Sequence, residues 1–234
     1  MSTRFVVGYV AVMAAMVSAC GGPASPGSSS GPAIALSANI VDPLTVNAIS
    51  QFNSCAGHAF PLPTSPNSAK NYFWPNSTNF STTSVLPLYA ACTGTTGQNN
   101  SDTNDPSSTR GVTMHLWCDS SSTGLRYFHI NPSSGIPGRH VTAGDAIGFA
   151  SMLGAGQAAS TAWQFSSNFD VAVFDGDDSS TKNYFAKLSS SALGAWAARG
   201  VTSVAQTLSS GPSTCSTFSS NVGDAGIVTL SLIR

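Results

Sequence analysis

The 234-residue chain is thinly charged: Asp, Lys and Arg together make up 8% of it, Glu is absent, and the formal net charge is −1. An average soluble domain carries about 25% charged residues. Here any chemistry built on Glu, such as an H-E-x-x-H zinc helix, is excluded, and nine Lys and Arg are too few for a basic nucleic-acid surface. With 41% hydrophobic residues the chain is not disordered throughout.

In chain order, Arg4 precedes an apolar run from Phe5 to Met16, the length of a signal-sequence core and too short to cross a bilayer well. Val17-Ser18-Ala19-Cys20 follows. Small residues before a Cys at this place resemble the bacterial lipobox, which implies a signal peptide over residues 1–19, cleavage before Cys20 and a lipid on its thiol. The alternative is an ordinary secretory signal with Cys20 incidental. Residues 20–33 are rich in Gly, Ser and Pro and predict a flexible tether. The expected location is the cell envelope, with the chain held to the membrane through its lipid. In a Gram-negative cell, Gly21 rather than Asp after the Cys implies the outer membrane.

Residues 34–234 predict one mainly β domain with one C-terminal helix. Runs rich in β-branched and aromatic residues predict strands at Ser84–Ala90, Val112–Cys118, Leu125–Ile130, Ala146–Ala150, Phe169–Phe174 and Ile227–Ile233. Between the first two, Thr93–Arg110 is dominated by Gly, Asn, Ser, Thr and Asp and predicts an exposed loop. Asn183–Arg199 predicts a helix, because Tyr184, Leu188, Ala192 and Trp196 recur at a spacing of four and Gly200 offers a stop. Cys55, Cys92, Cys118 and Cys215 remain after Cys20, an even number that suggests two disulfides in an exported chain. Three pairings are possible. Cys92 and Cys118 end adjacent predicted strands, which favours Cys92–Cys118 with Cys55–Cys215. Their wide spacing, without CxxC, argues against a zinc ribbon.

Three segments resemble lysostaphin-like (LytM-type) peptidoglycan metallopeptidases: Leu88-Tyr89-Ala90-Ala91-Cys92-Thr93-Gly94, then Leu125-Arg126-Tyr127-Phe128-His129-Ile130, then the turn Gly138 to Gly148. The resemblance implies a barrel-like antiparallel hybrid-motif fold and a zinc held by an HxxxD motif and the second His of an HxH strand. Two imidazoles and one carboxylate leave an open position where zinc activates water. Those ligands do not carry over. The HxH position reads Asn168-Phe169-Asp170, and the HxxxD region offers Asn67 to Asn71, or else His58 without its Asp. A closer resemblance is to extracytoplasmic proteins with a degenerate domain of this type. It rests on Ala56-Gly57-His58, Lys70-Asn71-Tyr72-Phe73, Phe169-Asp170-Val171-Ala172-Val173, Asn183-Tyr184-Phe185 and Ala198-Arg199-Gly200, with Asn71 where that group has His.

The candidate cleft is therefore His58, Asn71, His129, Asn168 and Asp170, with no catalytic residue and no metal ligand assigned. His115 and His140 read as surface positions. Asp175-Gly176-Asp177-Asp178 reads as a solvated turn rather than a calcium loop, for want of the twelve-residue spacing and closing Glu. Tyr72, Phe73 and Trp74 read as core rather than a carbohydrate platform. The leading expectation is a lipid-anchored envelope protein that binds or scaffolds, with peptidoglycan or a cell-wall enzyme as partner and no cofactor. The alternatives are a zinc endopeptidase rearranged around His58, His129 and Asp170, and a structural envelope lipoprotein without ligand.

Overall fold

Alternation of side chains, interrupted where the register shifts, divides the sheet into two faces. A computed structural model describes residues 35–60, 66–76, 86–99, 112–151, 168–176, 180–211, 214–218 and 222–231. The expected signal peptide, Cys20 and tether lie outside these residues.

Within them, eleven strands form one antiparallel sheet. They are β1 Val46–Ser50, β2 Asn71–Pro75, β3 Pro87–Tyr89, β4 Gly94–Asn99, β5 Val112–Cys118 and β6 Thr123–Pro132. The rest are β7 His140–Val141, β8 Ala146–Ala150, β9 Phe169–Asp175, β10 Thr181–Lys182 and β11 Ile227–Thr229. The order across the sheet is β11-β1-β2-β9-β6-β5-β4-β7. Strand β10 lies beside β9, and β8 bonds both β6 and β3.

On β9, Phe169, Val171 and Val173 enter the main core, while Asp170 and Ala172 face the other way. On β2, Phe73 enters the main core and Tyr72 and Trp74 join a second cluster on the opposite face. The main core is sealed by the helical segment and by Leu36, Ile40 and Val41. Phe73 stacks on Phe169 at 5.2 Å and meets Tyr184, Phe185 and Trp196 at 5.7, 6.1 and 6.0 Å. Tyr72, Phe73 and Trp74 are thus all buried, on both sides of one strand.

Several elements differ from expectation. The helix expected over 183–199 is two: α1 Tyr184–Lys187 and α2 Ser190–Ala197. Leu188 takes an extended backbone and pairs with Leu36, whose N–H donates to the Lys187 carbonyl and whose carbonyl accepts from Ser189. Ser189 then caps α2 through the Ala192 N–H. The four apolar positions that predicted the helix stay buried, so the break spares the stripe.

The stretch read as a loop from Thr93 begins with β4, fully paired with β5; the remainder, 100–110, lies outside the described residues. Strands β1 and β2 were not among the expected ones. Among the described residues, β3 leaves out Leu86 and Ala90 of the expected Ser84–Ala90, and β11 leaves out Leu230 and Ser231 of the expected Ile227–Ile233. In the turn ahead of β8, Gly144 adopts φ +90°, and a Cβ at Gly148 would stand 2.4 Å from the Asn131 carbonyl oxygen. Disulfides join Cys92 to Cys118 and Cys55 to Cys215.

Candidate functional site

Opposite the main core, β2, β6 and β9 present a polar cluster centred on a residue absent from the predicted cleft: Lys70. It precedes β2 and, by alternation, shares the face of Tyr72 and Trp74. Tyr72 pairs with Asp170 across the β2–β9 ladder, so Lys70 is the diagonal neighbour of Asp170, within reach of a long side chain. Its Nζ lies 2.5 Å from Asp170 Oδ2, with side chains 2% and 0% exposed. Asp170 Oδ1 faces His129 Nε2 at 3.5 Å. Lys70 Nζ also lies 3.3 Å from His58 Nε2.

His58 Nδ1 is 2.8 Å from the Ala59 carbonyl oxygen. A carbonyl only accepts, so Nδ1 carries the proton and Nε2 accepts from Lys70. The ammonium is then enclosed by rings: Phe128, Phe60 and Tyr72 lie 3.8, 4.7 and 5.5 Å from Nζ.

Local sequence explains each placement. A Cβ at Gly57 would fall 2.1 Å from the Tyr72 ring, and the residue has φ +79°; only Gly lets the chain lie on Tyr72 and present His58. His129 sits on a β-bulge. Val112 pairs with Ile130 and Met114 with Tyr127, so β6 carries one extra residue there, and His129 takes φ +58°. The bulge inverts the alternation: Tyr127 and Ile130 both point to the core, and His129 between them is left to meet Asp170.

The charges follow from this enclosure. Burial alone pushes the Asp170 carboxyl up, but the Lys70 ammonium and then His129 more than offset it, and the carboxyl stays below its ordinary range. Burial, and next the Lys70 charge, hold the His58 imidazole below its ordinary value. Burial and the Asp170 charge push the Tyr72 phenol well up.

Of the predicted cleft, His58, His129 and Asp170 converge around Lys70. Asn71 does not. It is the core-facing neighbour of Lys70, where its Oδ1 accepts from the Tyr184 N–H at 2.9 Å and its Nδ2 donates to the Ser50 carbonyl, joining α1 to the sheet. Asn168 shares the face of Asp170 and is buried, and its Nδ2 has no hydrogen-bond partner among the described residues.

His140 is exposed and pairs with Asp119 at 2.7 Å. His115 is only half-buried as a residue, but its Nε2 is shielded and its ring lies 6.2 Å from that of Trp117, so it is not a plain surface position. Asp175 is taken by Lys187 at 3.0 Å and by the Thr123 hydroxyl; Asp177 and Asp178 lie outside the described residues.

A divalent metal does not fit this cluster. Asp170 already holds a cation, and among the described residues no group of three or more His, Cys, Asp or Glu could hold a metal ion. The arrangement is a closed, self-neutralised ion pair flanked by two imidazoles.

No protein-family model and no curated protein matches the chain. Similar solved structures include lysostaphin from Staphylococcus simulans, at 16% identity and TM-score 0.44, covering 69% of this chain and 56% of that one. A variant of the catalytic domain of the prophage-encoded M23 protein EnpA from Enterococcus faecalis matches at 14% identity and TM-score 0.38, covering 64% and 95%. The M23 metalloprotease pseudoalterin, from the deep sea, matches at 15% and 0.37, covering 65% and 73%. The chain thus spans little more than half the length of the lysostaphin chain.

Proposed function

We propose that this chain is a cell-envelope protein, anchored through a lipid on Cys20, whose peptidase-like domain binds peptidoglycan without cleaving it. The observation that carries the reading is the Lys70 ammonium on Asp170 Oδ2. A hydrolytic zinc site needs an ionised carboxylate and imidazoles free to coordinate, with one position open for water. Here the carboxylate is neutralised by a fixed internal cation that no water exchange removes, and His58 spends its lone pair on the same ammonium. The lipobox, the two disulfides and the motif resemblance to peptidoglycan peptidases support the location and the ligand class.

The test is co-sedimentation of the purified protein with isolated cell-wall sacculi, with metal content and released wall fragments measured on the same sample. The expected result is sedimentation with the wall, no released fragments and zinc far below one per chain. Stoichiometric zinc with wall cleavage that is lost in His129→Ala would establish the endopeptidase instead. Failure to sediment would leave a structural role.

A further inference from the structure

The Lys70–Asp170 pair has more around it than a salt bridge needs. Among the described residues, Lys70 is the only buried Lys and Asp170 the only buried Asp. They touch each other within a ring of Phe60, Tyr72 and Phe128. An imidazole stands at each end, His58 Nε2 by the amine nitrogen and His129 Nε2 by the other carboxyl oxygen. Burial alone favours the neutral form of each group, so the ionised pair is held by its own mutual attraction and the neutral pair is its minor form. Passing one proton from Nζ to Oδ2, along the hydrogen bond they share, yields an amine beside a carboxylic acid. These are the two reactants of an amide, held in contact by the fold and shielded from water. In well-oriented intramolecular reactions such positioning reaches effective concentrations of about 10⁵ M.

We propose that Lys70 and Asp170 become joined by an intramolecular isopeptide bond from Lys70 Nζ to Asp170 Cγ, which pins the start of β2 to β9. After the proton hand-over, the Nζ lone pair attacks Cγ. His129 Nε2 stands 3.5 Å from Oδ1, where negative charge grows, and in its Nε2–H form closes as a donor on that oxygen, otherwise unpartnered among the described residues. His58 Nε2, whose lone pair faces Nζ because Nδ1–H is committed to the Ala59 carbonyl, takes a proton from the attacking nitrogen. The tetrahedral centre then collapses. Oδ2 leaves with its own proton and the one returned by His58, as water. One C–N bond forms, one C–O bond breaks, one water is released, and nothing is oxidised or reduced. The product keeps the imidazoles and the aromatic enclosure and replaces two buried charges with a neutral amide. The proposal does not depend on whether the domain binds the cell wall.

The test is a tryptic map of the reduced, full-length protein after folding and export. Trypsin cleaves after free Lys, so an acylated Lys70 is skipped. The expected result is that the peptide containing Lys70 appears joined to residues 140–182, which contain Asp170, at the summed mass less one water. In Asp170→Asn the same linked peptide forms with loss of ammonia, and in His58→Ala it accumulates more slowly. Lys70→Arg abolishes it. Cleavage after Lys70 with both peptides found separately in the wild-type chain would overturn the proposal. So would a water loss that survives in Lys70→Arg. The wild-type map decides alone, so a variant that fails to fold leaves no gap.

Discussion

Taking away the Lys70 ammonium while keeping Asp170 leaves a carboxylate buried at 0% side-chain exposure. Breaking a buried pair from one side costs about 3–5 kcal/mol, whereas replacing both partners with apolar groups is close to neutral. Lys70→Met is therefore expected to be less stable than Lys70→Met/Asp170→Leu by about 3 kcal/mol or more in urea unfolding. Neither variant can form the amide, so the comparison reports desolvation alone.

The imidazole gives a pH dependence. Folded His58 titrates below its unfolded value of 6.5, so between the two values the unfolded chain binds more protons. Stability should fall as pH drops below about 6.5, and thermal melts of His58→Gln should lack that limb. The ion-paired chain has a second limb: Asp170 is depressed below 3.8, so its contribution is lost as pH falls further. The amide-linked chain has no Asp170 to titrate and lacks this limb.

At this scale the sequence was half legible. His58, His129 and Asp170 were found through resemblance. Lys70 was overlooked because it entered only as part of the Lys70-Asn71-Tyr72-Phe73 resemblance, in which Asn71 drew the attention; as a strand, the parity puts Lys70 with Tyr72 and Trp74 and sends Asn71 to the core.

Among the elements, the β6 bulge does most to build the site, and no residue type announces it. Leu125 to Ile130 reads as an unbroken strand, and only pairing with β5 shows the extra residue at His129. A non-Gly residue at φ +58° is strained by about 1–2 kcal/mol unless its surroundings enforce it. His129→Gly and His129→Ala both remove the imidazole, but only Ala keeps the strain. The Gly variant should be the more stable by about 1 kcal/mol in chemical denaturation. Equal stabilities would mean that the backbone there relaxes and the bulge is not imposed by the sheet. The helix break at Leu188 has a similar origin. The apolar period of four was read correctly, yet the Leu36 backbone competes for the hydrogen bonds at Lys187 and Ser189, and that partner is some 150 residues away in sequence. Periodicity fixes which side chains are buried and cannot see a competing strand.

Across the whole molecule, two disulfides and the buried Lys70–Asp170 pair tie distant parts of a thinly charged chain together. The antiparallel β class and both Cys pairings could be anticipated, since alternation and strand ends are local signals. The nesting of the ties could not, because it depends on β2 lying beside β9. Cys55–Cys215 closes a separation of 160 residues and Cys92–Cys118 one of 26. In the chain-entropy account this makes the first worth about 5 kcal/mol and the second about 3.5 kcal/mol. Cys55→Ser/Cys215→Ser should thus lower stability more than Cys92→Ser/Cys118→Ser in thermal melts.

An isopeptide between Lys70 and Asp170 changes the first figure. With β2 already tied to β9, the loop that Cys55–Cys215 closes in the unfolded chain shortens to about 60 residues, and its contribution falls by about 0.9 kcal/mol through the logarithm of loop length. The disulfide pair should therefore matter more in a Lys70→Arg background than in the wild type, by about that amount, in a double-mutant cycle on urea midpoints. Cys92–Cys118 does not enclose the tie and lies wholly between its ends, so the loop it closes is the same with or without the link, and its cycle should show no such coupling. Coupling of both disulfides to Lys70→Arg would point to general loosening of the sheet instead of a shortened loop.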